Sequence, residues 1–112
     1  MKHIAVVTTV GSETDAQSMA RALVERKLAA CAQISEIESF YRWNGVVQND
    51  REFRVLFKTT NESYEAVEAA ILELHKYELP AIHTFPLEHV YAPYAKWIES
   101  NSSGMELQGD RT

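Results

Sequence analysis

Residues that crosslink or interrupt small proteins are scarce in this 112-residue chain, which has one cysteine, four glycines and three prolines. A single cysteine excludes an intrachain disulfide and favours a reducing, cytoplasmic compartment. The chain has no internal repeat and no low-complexity linker, so its length predicts one domain. No segment approaches the ~20 apolar residues needed to span a bilayer, and the apolar run near the amino terminus is too short for a signal peptide. We therefore expect a soluble cytoplasmic protein without a membrane partner.

The chain also lacks a basic excess and the common catalytic signatures. It carries 11 Lys and Arg against 16 Asp and Glu, a net charge of −5. Without a basic stripe to contact phosphates, a nucleic-acid partner is not expected. A glycine-rich phosphate loop and the HExxH, GxSxG and CxxC motifs are all missing from the sequence. These absences favour a protein that is not an enzyme.

The most informative stretch is residues 28–60, which reads as two long strands joined at Asn44-Gly45. Asn-Gly between apolar runs is the strongest short-range hairpin signal, because both residues tolerate positive φ angles. A strand from Ala29 to Trp43 would span roughly 50 Å at about 3.3 Å per residue, whereas a domain of this size has a radius of gyration of about 13 Å. The far end carries Tyr41 and Trp43, so we expect another copy of the chain to cover it.

The remaining patterns predict a strand at residues 4–10, a helix capped by Ser12, a second helix from residue 60 to near residues 75–77, a strand at residues 81–88 and a short helix after Pro93. This order predicts an α+β fold, the ferredoxin-like βαββαβ sandwich with a long central hairpin and a short C-terminal helix. Residues 1–100 form the predicted domain, and residues 101–112 form a polar, flexible tail. With two helices on one sheet face, the other face also requires a partner.

Ordered motifs along most of the chain closely resemble the CutA family of divalent-cation tolerance proteins. They are residues 8–9 (TT), 28–34 (LAACAQI), 40–45 (FYRWNG), 57–60 (FKTT), 74–82 (LHKYELPAI), 85–87 (FPL) and 94–98 (YAKWI). The resemblance implies a ferredoxin-like fold and a tight trimer with interlocked hairpins, similar to PII signalling proteins. It also implies roles in tolerance to copper and other divalent metals, and in some eukaryotic members the anchoring of a membrane partner.

Two departures from the family pattern concern its metal chemistry. The copper site assigned in some bacterial members matches Thr8, Leu74 and His75 here, and only His75 can supply an imidazole. The family often has proline and glutamate where this chain has Lys76 and Ala81. The site is therefore not transferred as a whole.

The candidate metal ligands each have a structural alternative. His75, close to Tyr77 and Glu78, could share a metal, or it could cap the end of its helix. Cys31 is a soft ligand, but free cysteine is also among the most buried residue types. His3 near the terminus could give adventitious copper affinity, and His83 and His89 are more typical of isolated surface or interface histidines.

A second set of candidates would form a cleft between subunits. The family resemblance places positions matching Tyr41, Trp43, Lys58 and Glu78 near such clefts, with Tyr77 beside them. A lysine, aromatic rings and a carboxylate could bind a small anion or a polar metabolite. Alternatively, Lys58 pairs structurally with Glu78 while the aromatic side chains pack the interface.

We therefore expect a homotrimeric, non-enzymatic protein that responds to divalent metal. Copper or zinc would bind weakly, and no organic cofactor is expected. The alternative is a small-molecule or anion sensor that uses the intersubunit clefts without a physiological metal. An unrecognised enzyme in the same clefts is a third hypothesis, for which the sequence nominates no substrate.

Overall fold

A computed structural model describes residues 1–104, in which one four-stranded sheet is flanked by helices. In chain order the elements are β1 (His3–Val10), α1 (Glu13–Glu25), β2 (Cys31–Trp43), β3 (Val46–Thr60), a 3-10 turn (Asn61–Ser63), α2 (Tyr64–Leu74), β4 (Ile82–Pro86) and α3 (Ala92–Asn101). The sheet is antiparallel with strand order β2-β3-β1-β4. This is the ferredoxin-like order, so the predicted fold class is confirmed.

Local sequence signals account for the main boundaries. Asn44 and Gly45 have φ angles of 52° and 77°, which are the positive values that a two-residue hairpin turn requires. Ser12 accepts a hydrogen bond from the Asp15 N–H at 3.1 Å and so caps α1. Pro86 ends β4 at the edge of the sheet, where its missing N–H does not interrupt an internal ladder.

The core lies between α1, α2 and one face of the sheet. Alternate residues of the central strands enter it, including Val6 and Phe57, which face each other across β1 and β3. Leu23 from α1 and Ile71 from α2 pack against them, and all four side chains are fully buried. Each such burial contributes about 1.5–3 kcal/mol to folding relative to exposure, so this layer dominates stability.

The hairpin extends well beyond the rest of the sheet. The β1–β3 ladder ends at Val10 and Phe53, whereas the β2–β3 ladder continues to Trp43 and Val46. Residues 37–52 therefore form a two-stranded projection, called here the hairpin arm. The fold measures 52 × 31 × 20 Å and has a radius of gyration of 14.9 Å, above the compact value for its length. The predicted projection is confirmed, while its cover by another copy stays a prediction.

α3 partly covers the sheet face that was expected to lie open. Phe57 belongs to the helix-covered core, so its neighbour Lys58 points to the opposite face. There Tyr94 of α3 lies against Lys58, and Ile98 is fully buried. The expectation that a partner alone covers this face was therefore wrong for the part beneath α3. The pattern of α3 predicted a helix but not the surface to which it packs.

The folded region also continues past the predicted boundary at residue 100. Ser102 is fully buried, and its hydroxyl donates to the Ile98 carbonyl at 2.6 Å. Ser63 in turn donates to the Ser102 carbonyl at 2.6 Å. The rest of the predicted tail, residues 105–112, lies outside the described residues. Within residues 1–104, no helix is long and apolar enough to cross a membrane.

Candidate functional site

His75 is held at the end of α2 by contacts from both ring nitrogens. Its Nε2 lies 2.8 Å from the Thr9 carbonyl oxygen and 3.2 Å from Thr8 Oγ1. Its Nδ1 accepts a hydrogen bond from the Tyr77 N–H at 3.2 Å. An Nε2–H that donates to the carbonyl leaves Nδ1 as the acceptor, which satisfies the neutral ring. In this arrangement neither nitrogen is free to bind a metal, and His75 ties the loop after α2 to the end of β1.

We expect His75→Ala to lower the free energy of unfolding by about 1–3 kcal/mol, because the substitution removes the hydrogen-bond partner of the half-buried Thr9 carbonyl and of the buried Thr8 hydroxyl. Urea unfolding should reveal the loss. The exposed His89 provides a matched control, because its ring forms no hydrogen bond with any of residues 1–104. Equal stability of the two variants would contradict the structural role of His75.

Tyr77 continues from His75 across the end of β1 to the base of the hairpin arm. Its ring passes over Gly11, where an added Cβ would lie 3.4 Å from the phenol oxygen. The phenol donates to the Glu52 carboxylate at 2.7 Å. Glu52 is only 8% exposed, so this hydrogen bond satisfies an otherwise buried charge. Glu52 was missing from the predicted site, although an acidic residue next to the core residue Phe53 was a signal that could have found it.

Burial raises the pKa of Tyr77 well above its usual value, and the hydrogen bond to Glu52 raises it further. A phenol whose pKa is raised by folding stabilises the fold below the unfolded pKa of about 10. That contribution disappears as the pH rises through the higher folded pKa. The folded protein thus favours the neutral phenol of Tyr77, which donates the hydrogen bond to Glu52.

We expect Tyr77→Phe to lower the free energy of unfolding at pH 7 by about 1.5–3 kcal/mol, since Glu52 loses a charge-assisted hydrogen bond. The variant should also lose part of the wild-type decline in stability above pH 10. Thermal unfolding between pH 7 and 11 measures both effects. Tyr91→Phe is the matched control because Tyr91 is exposed, and an identical pH profile for both variants would refute this account.

A second phenol–carboxylate pair lies farther along the arm on the same face as Glu52. Tyr41 donates to Asp50 across the ladder, and this hydrogen bond raises the pKa of Tyr41. Tyr41 and Asp50 also contribute to the raised pKa of Tyr77. Tyr41 and Tyr77 thus bond to two carboxylates, Asp50 and Glu52, on the same face of β3. Trp43 follows on this face near the tip and is 40% exposed.

Lys58 and Cys31 face each other at the base of the same sheet face and converge on Tyr94. The phenol oxygen of Tyr94 is 3.4 Å from Lys58 Nζ and 3.8 Å from Cys31 Sγ. The lysine nitrogen lies 5.3 Å from the ring centroid, within cation–π range. Trp97 stacks on Tyr94 with centroids 5.4 Å apart and planes at 14°. Tyr94 was not predicted as a site residue, although its i, i+3 spacing to Trp97 places both on one helix face.

The other predicted groups are not joined within one chain. Lys58 lies ten residues along β3 from Gln48, the ladder partner of Tyr41, which corresponds to roughly 33 Å at about 3.3 Å per residue. Glu78 is exposed and forms no hydrogen bond or ion pair with any of residues 1–104, Lys58 included. Nor do those residues contain a group of three His, Cys, Asp or Glu side chains that could hold a metal. Within the described residues these groups therefore do not form one site.

Comparison with known proteins decides the family. The profile of the CutA1 divalent ion tolerance protein matches residues 4–101, from the second residue of β1 to the end of α3. The chain belongs to the CutA1 family. The divalent-cation tolerance protein CutA of Thermotoga maritima is 37% identical over 98 residues, covering 88% of this chain and 97% of that protein. The CutA of Thermus thermophilus is 38% identical over 98 residues, covering 87% and 95%.

Solved CutA structures share the fold. The Thermus thermophilus divalent cation tolerance protein superposes with a TM-score of 0.86 at 37% identity, covering 89% of this chain and 98% of that one. CutA from Archaeoglobus fulgidus, whose name calls it a periplasmic divalent cation tolerance protein, gives a TM-score of 0.87 at 32% identity with the same coverage. The CutA likeness thus extends over the sheet, the hairpin and α3.

Proposed function

We propose that this protein is a homotrimeric, cytoplasmic divalent-cation response protein with a PII-like signalling role and no catalytic activity. The observation that carries the proposal is the hairpin arm, where large apolar side chains remain exposed within residues 1–104. Membership of a family named for divalent-cation tolerance supports the response to metal. The single cysteine in the chain supports a reducing compartment.

The exposed apolar surface of the arm favours a second copy as its partner. Phe40 is 69% exposed and Val47 61% exposed on one face, while Trp43 and Val46 are exposed on the other. Both edge strands, β2 and β4, also present unpaired backbone groups within the described chain, and such edges readily pair with another strand. The exposed apolar side chains and the unpaired strand edges together offer contacts for a closed assembly of identical chains.

Any specific metal site of this protein would then form between subunits. One chain offers scattered donors, with Cys31 at the base of the sheet and His75 already hydrogen-bonded through both nitrogens. Copper and zinc prefer sulfur and imidazole ligands in sets of three or four. Copies of the chain arranged around a common axis could complete such a set, with weak affinity for copper or zinc.

Light scattering and calorimetry test this proposal together. Light scattering should give three times the chain mass over a wide range of concentrations. Titration of the chelator-treated trimer with Cu²⁺ and Zn²⁺ should show saturable binding that is weakened by Cys31→Ser. A stable native monomer would refute the assembly, and affinity weaker than about 1 mM, which is about −4.1 kcal/mol, would refute a specific metal site.

One observation favours a second function, the binding of a small anion in the intersubunit cleft. Lys58 forms no ion pair with a carboxylate in residues 1–104, and it lies against Tyr94, on whose ring Trp97 stacks. A cation without a counter-charge beside an aromatic pair can hold a planar anion. This function requires no metal.

We expect Lys58→Ala to abolish any thermal stabilisation that inorganic phosphate or benzoate gives to the wild-type protein. At 100 times the dissociation constant, a ligand stabilises the folded state by about 2.7 kcal/mol, which differential scanning fluorimetry readily detects. Lys96→Ala, on the exposed side of α3, is the matched control and should retain the shift. A shift that survives in Lys58→Ala would remove Lys58 from this role.

A further inference from the structure

A groove lies at the outer edge of the sheet, between α1 and the base of β2. Its volume is about 750 Å³. Val24 of α1 and Ala32 and Ile34 of β2 belong to the apolar part of its lining, and polar side chains of α1 form most of the rest. Val24 and Ile34 are each 38% exposed. The groove therefore offers an apolar strip with a polar rim to a further segment of chain.

The edge of β2 beside this groove has backbone groups without a ladder partner among residues 1–104. β2 is an outermost strand of the described sheet. The two-residue turn makes Trp43 and Val46 a hydrogen-bonded pair, and every second pair of the β2–β3 ladder repeats this pattern. Ala32 and Ile34 fall between such pairs, so their N–H and C=O groups point away from β3. The groove and the edge together fit an extended strand whose alternate side chains are apolar.

Gly104, the last described residue, lies beside this groove. Its N–H donates to the Lys27 carbonyl at 2.8 Å, and an added Cβ on Gly104 would lie 3.7 Å from the Leu28 side chain. Lys27 follows Val24 by three residues, which is roughly 5 Å of rise along a helix. The chain therefore leaves Gly104 within reach of the groove.

The sequence after Gly104 has the pattern that the groove requires. Residues 105–108 read MELQ, so two apolar residues alternate with two polar ones before Gly109. Such alternation is typical of a strand that is covered on one face. We propose that this MELQ segment (residues 105–108) lies along the outer edge of β2 in the same chain, with Met105 and Leu107 in the groove.

Spacing and length favour this occupant. The two apolar residues of the MELQ segment are two positions apart, as are Ala32 and Ile34, so neighbouring strands can bring the two pairs level with each other. The segment starts at the end of the sheet where β2 starts, and it therefore runs parallel to β2. The apolar strip of β2 ends at Glu36, which pairs with Arg51 at 2.6 Å, and the alternation ends at a similar distance along the segment.

The MELQ segment would cover the edge of β2 only at its base. A covered edge cannot pair with a foreign strand, which is how many proteins avoid edge-to-edge association. The hairpin arm, residues 37–52, stays free for the assembly proposed above. The inference requires neither a trimer nor a metal.

Backbone amide exchange in the full-length protein, followed by NMR, tests the proposal. The amides of Ala32 and Ile34 should exchange roughly tenfold or more slowly in the wild type than in the double variant Met105→Ser/Leu107→Ser, because loss of the apolar contacts frees the edge. The double variant Glu106→Ser/Gln108→Ser is the matched control. It changes the same segment at the alternate positions and should keep the slow exchange.

Methyl contacts provide a direct second measurement. The Met105 methyl should give nuclear Overhauser effects to the Val24 methyls in the wild type. Contacts found only between differently labelled copies in a mixed sample would overturn the intrachain arrangement. Fast exchange at Ala32 and Ile34 in the wild type would overturn it too, as would equal exchange in the two double variants. Neither measurement depends on the oligomeric state or on metal binding, so this inference and the proposed function can fail separately.

Discussion

Replacing Trp43 with alanine is expected to lower the free energy of unfolding of the assembled protein by about 3–5 kcal/mol, the usual cost of truncating a buried tryptophan. In one chain Trp43 is 40% exposed near the tip of the arm, so a loss of this size arises only if another copy buries the ring. Guanidinium unfolding, followed at several protein concentrations, measures the change. Light scattering of the same variant should show a weaker assembly.

Trp97→Ala is the matched control for this experiment. Trp97 is the same residue type with similar exposure, 43%, but it lies on α3 and stacks on Tyr94. Its truncation should cost mainly the stacking interaction, about 0.5–1.5 kcal/mol, and leave the mass of the assembly unchanged. Equal losses in both variants, with an unchanged mass, would mean that the arm does not join the subunits.

Leu23→Ala should lower the free energy of unfolding by about 2–5 kcal/mol, because it opens a cavity between α1 and the sheet. Leu23 is fully buried and contributes to the main core. Leu72→Ala offers a matched leucine on α2 that is 54% exposed, and its effect should stay within about 0.5 kcal/mol. Urea unfolding at one fixed protein concentration compares the two, since the stability of an assembly depends on concentration.

A small effect of Leu23→Ala, comparable with that of Leu72→Ala, would contradict the packing of α1 on the sheet. Comparing Leu23→Ala with Trp43→Ala separates effects on folding from effects on assembly. Leu23 lies in the core of one chain, so its loss should lower stability without changing the mass of the proposed trimer at concentrations where the fold survives. Trp43→Ala should act in the opposite way, mainly on association.

Short-range patterns predicted most of the elements. Asn44 and Gly45 form the hairpin turn, and the side chain of Ser12 caps the start of α1. Pro86 indicated an edge position for β4. Each of these effects acts within a few residues, through a φ preference, a capping hydroxyl or a missing donor. The end of the fold was harder to predict, because Ser102 is polar and its burial depends on partners at Ile98 and Ser63.

The candidate site was predicted less completely, since its contacts join residues far apart in the chain. His75 and Tyr77 were recognised, but their partners Thr9 and Glu52 lie 66 and 25 residues away. His75 ends α2 through its backbone N–H, which donates to the Ile71 carbonyl, whereas its ring bonds to the end of β1 and to the Tyr77 N–H. Tyr94 acquires a role only because α3 crosses the sheet and brings its phenol to Lys58 and Cys31.

From the amino-acid order alone one obtains the family, the order of strands and helices, and a hairpin too long for its own domain. These follow from periodicity, turn chemistry and length, which act locally along the chain. The tertiary fold decided which carboxylate meets Tyr77 and which side chains surround Lys58. The physical reason is that a hydrogen bond is set by distance in space, and packing α2 and α3 against the sheet makes neighbours of residues that the chain keeps apart.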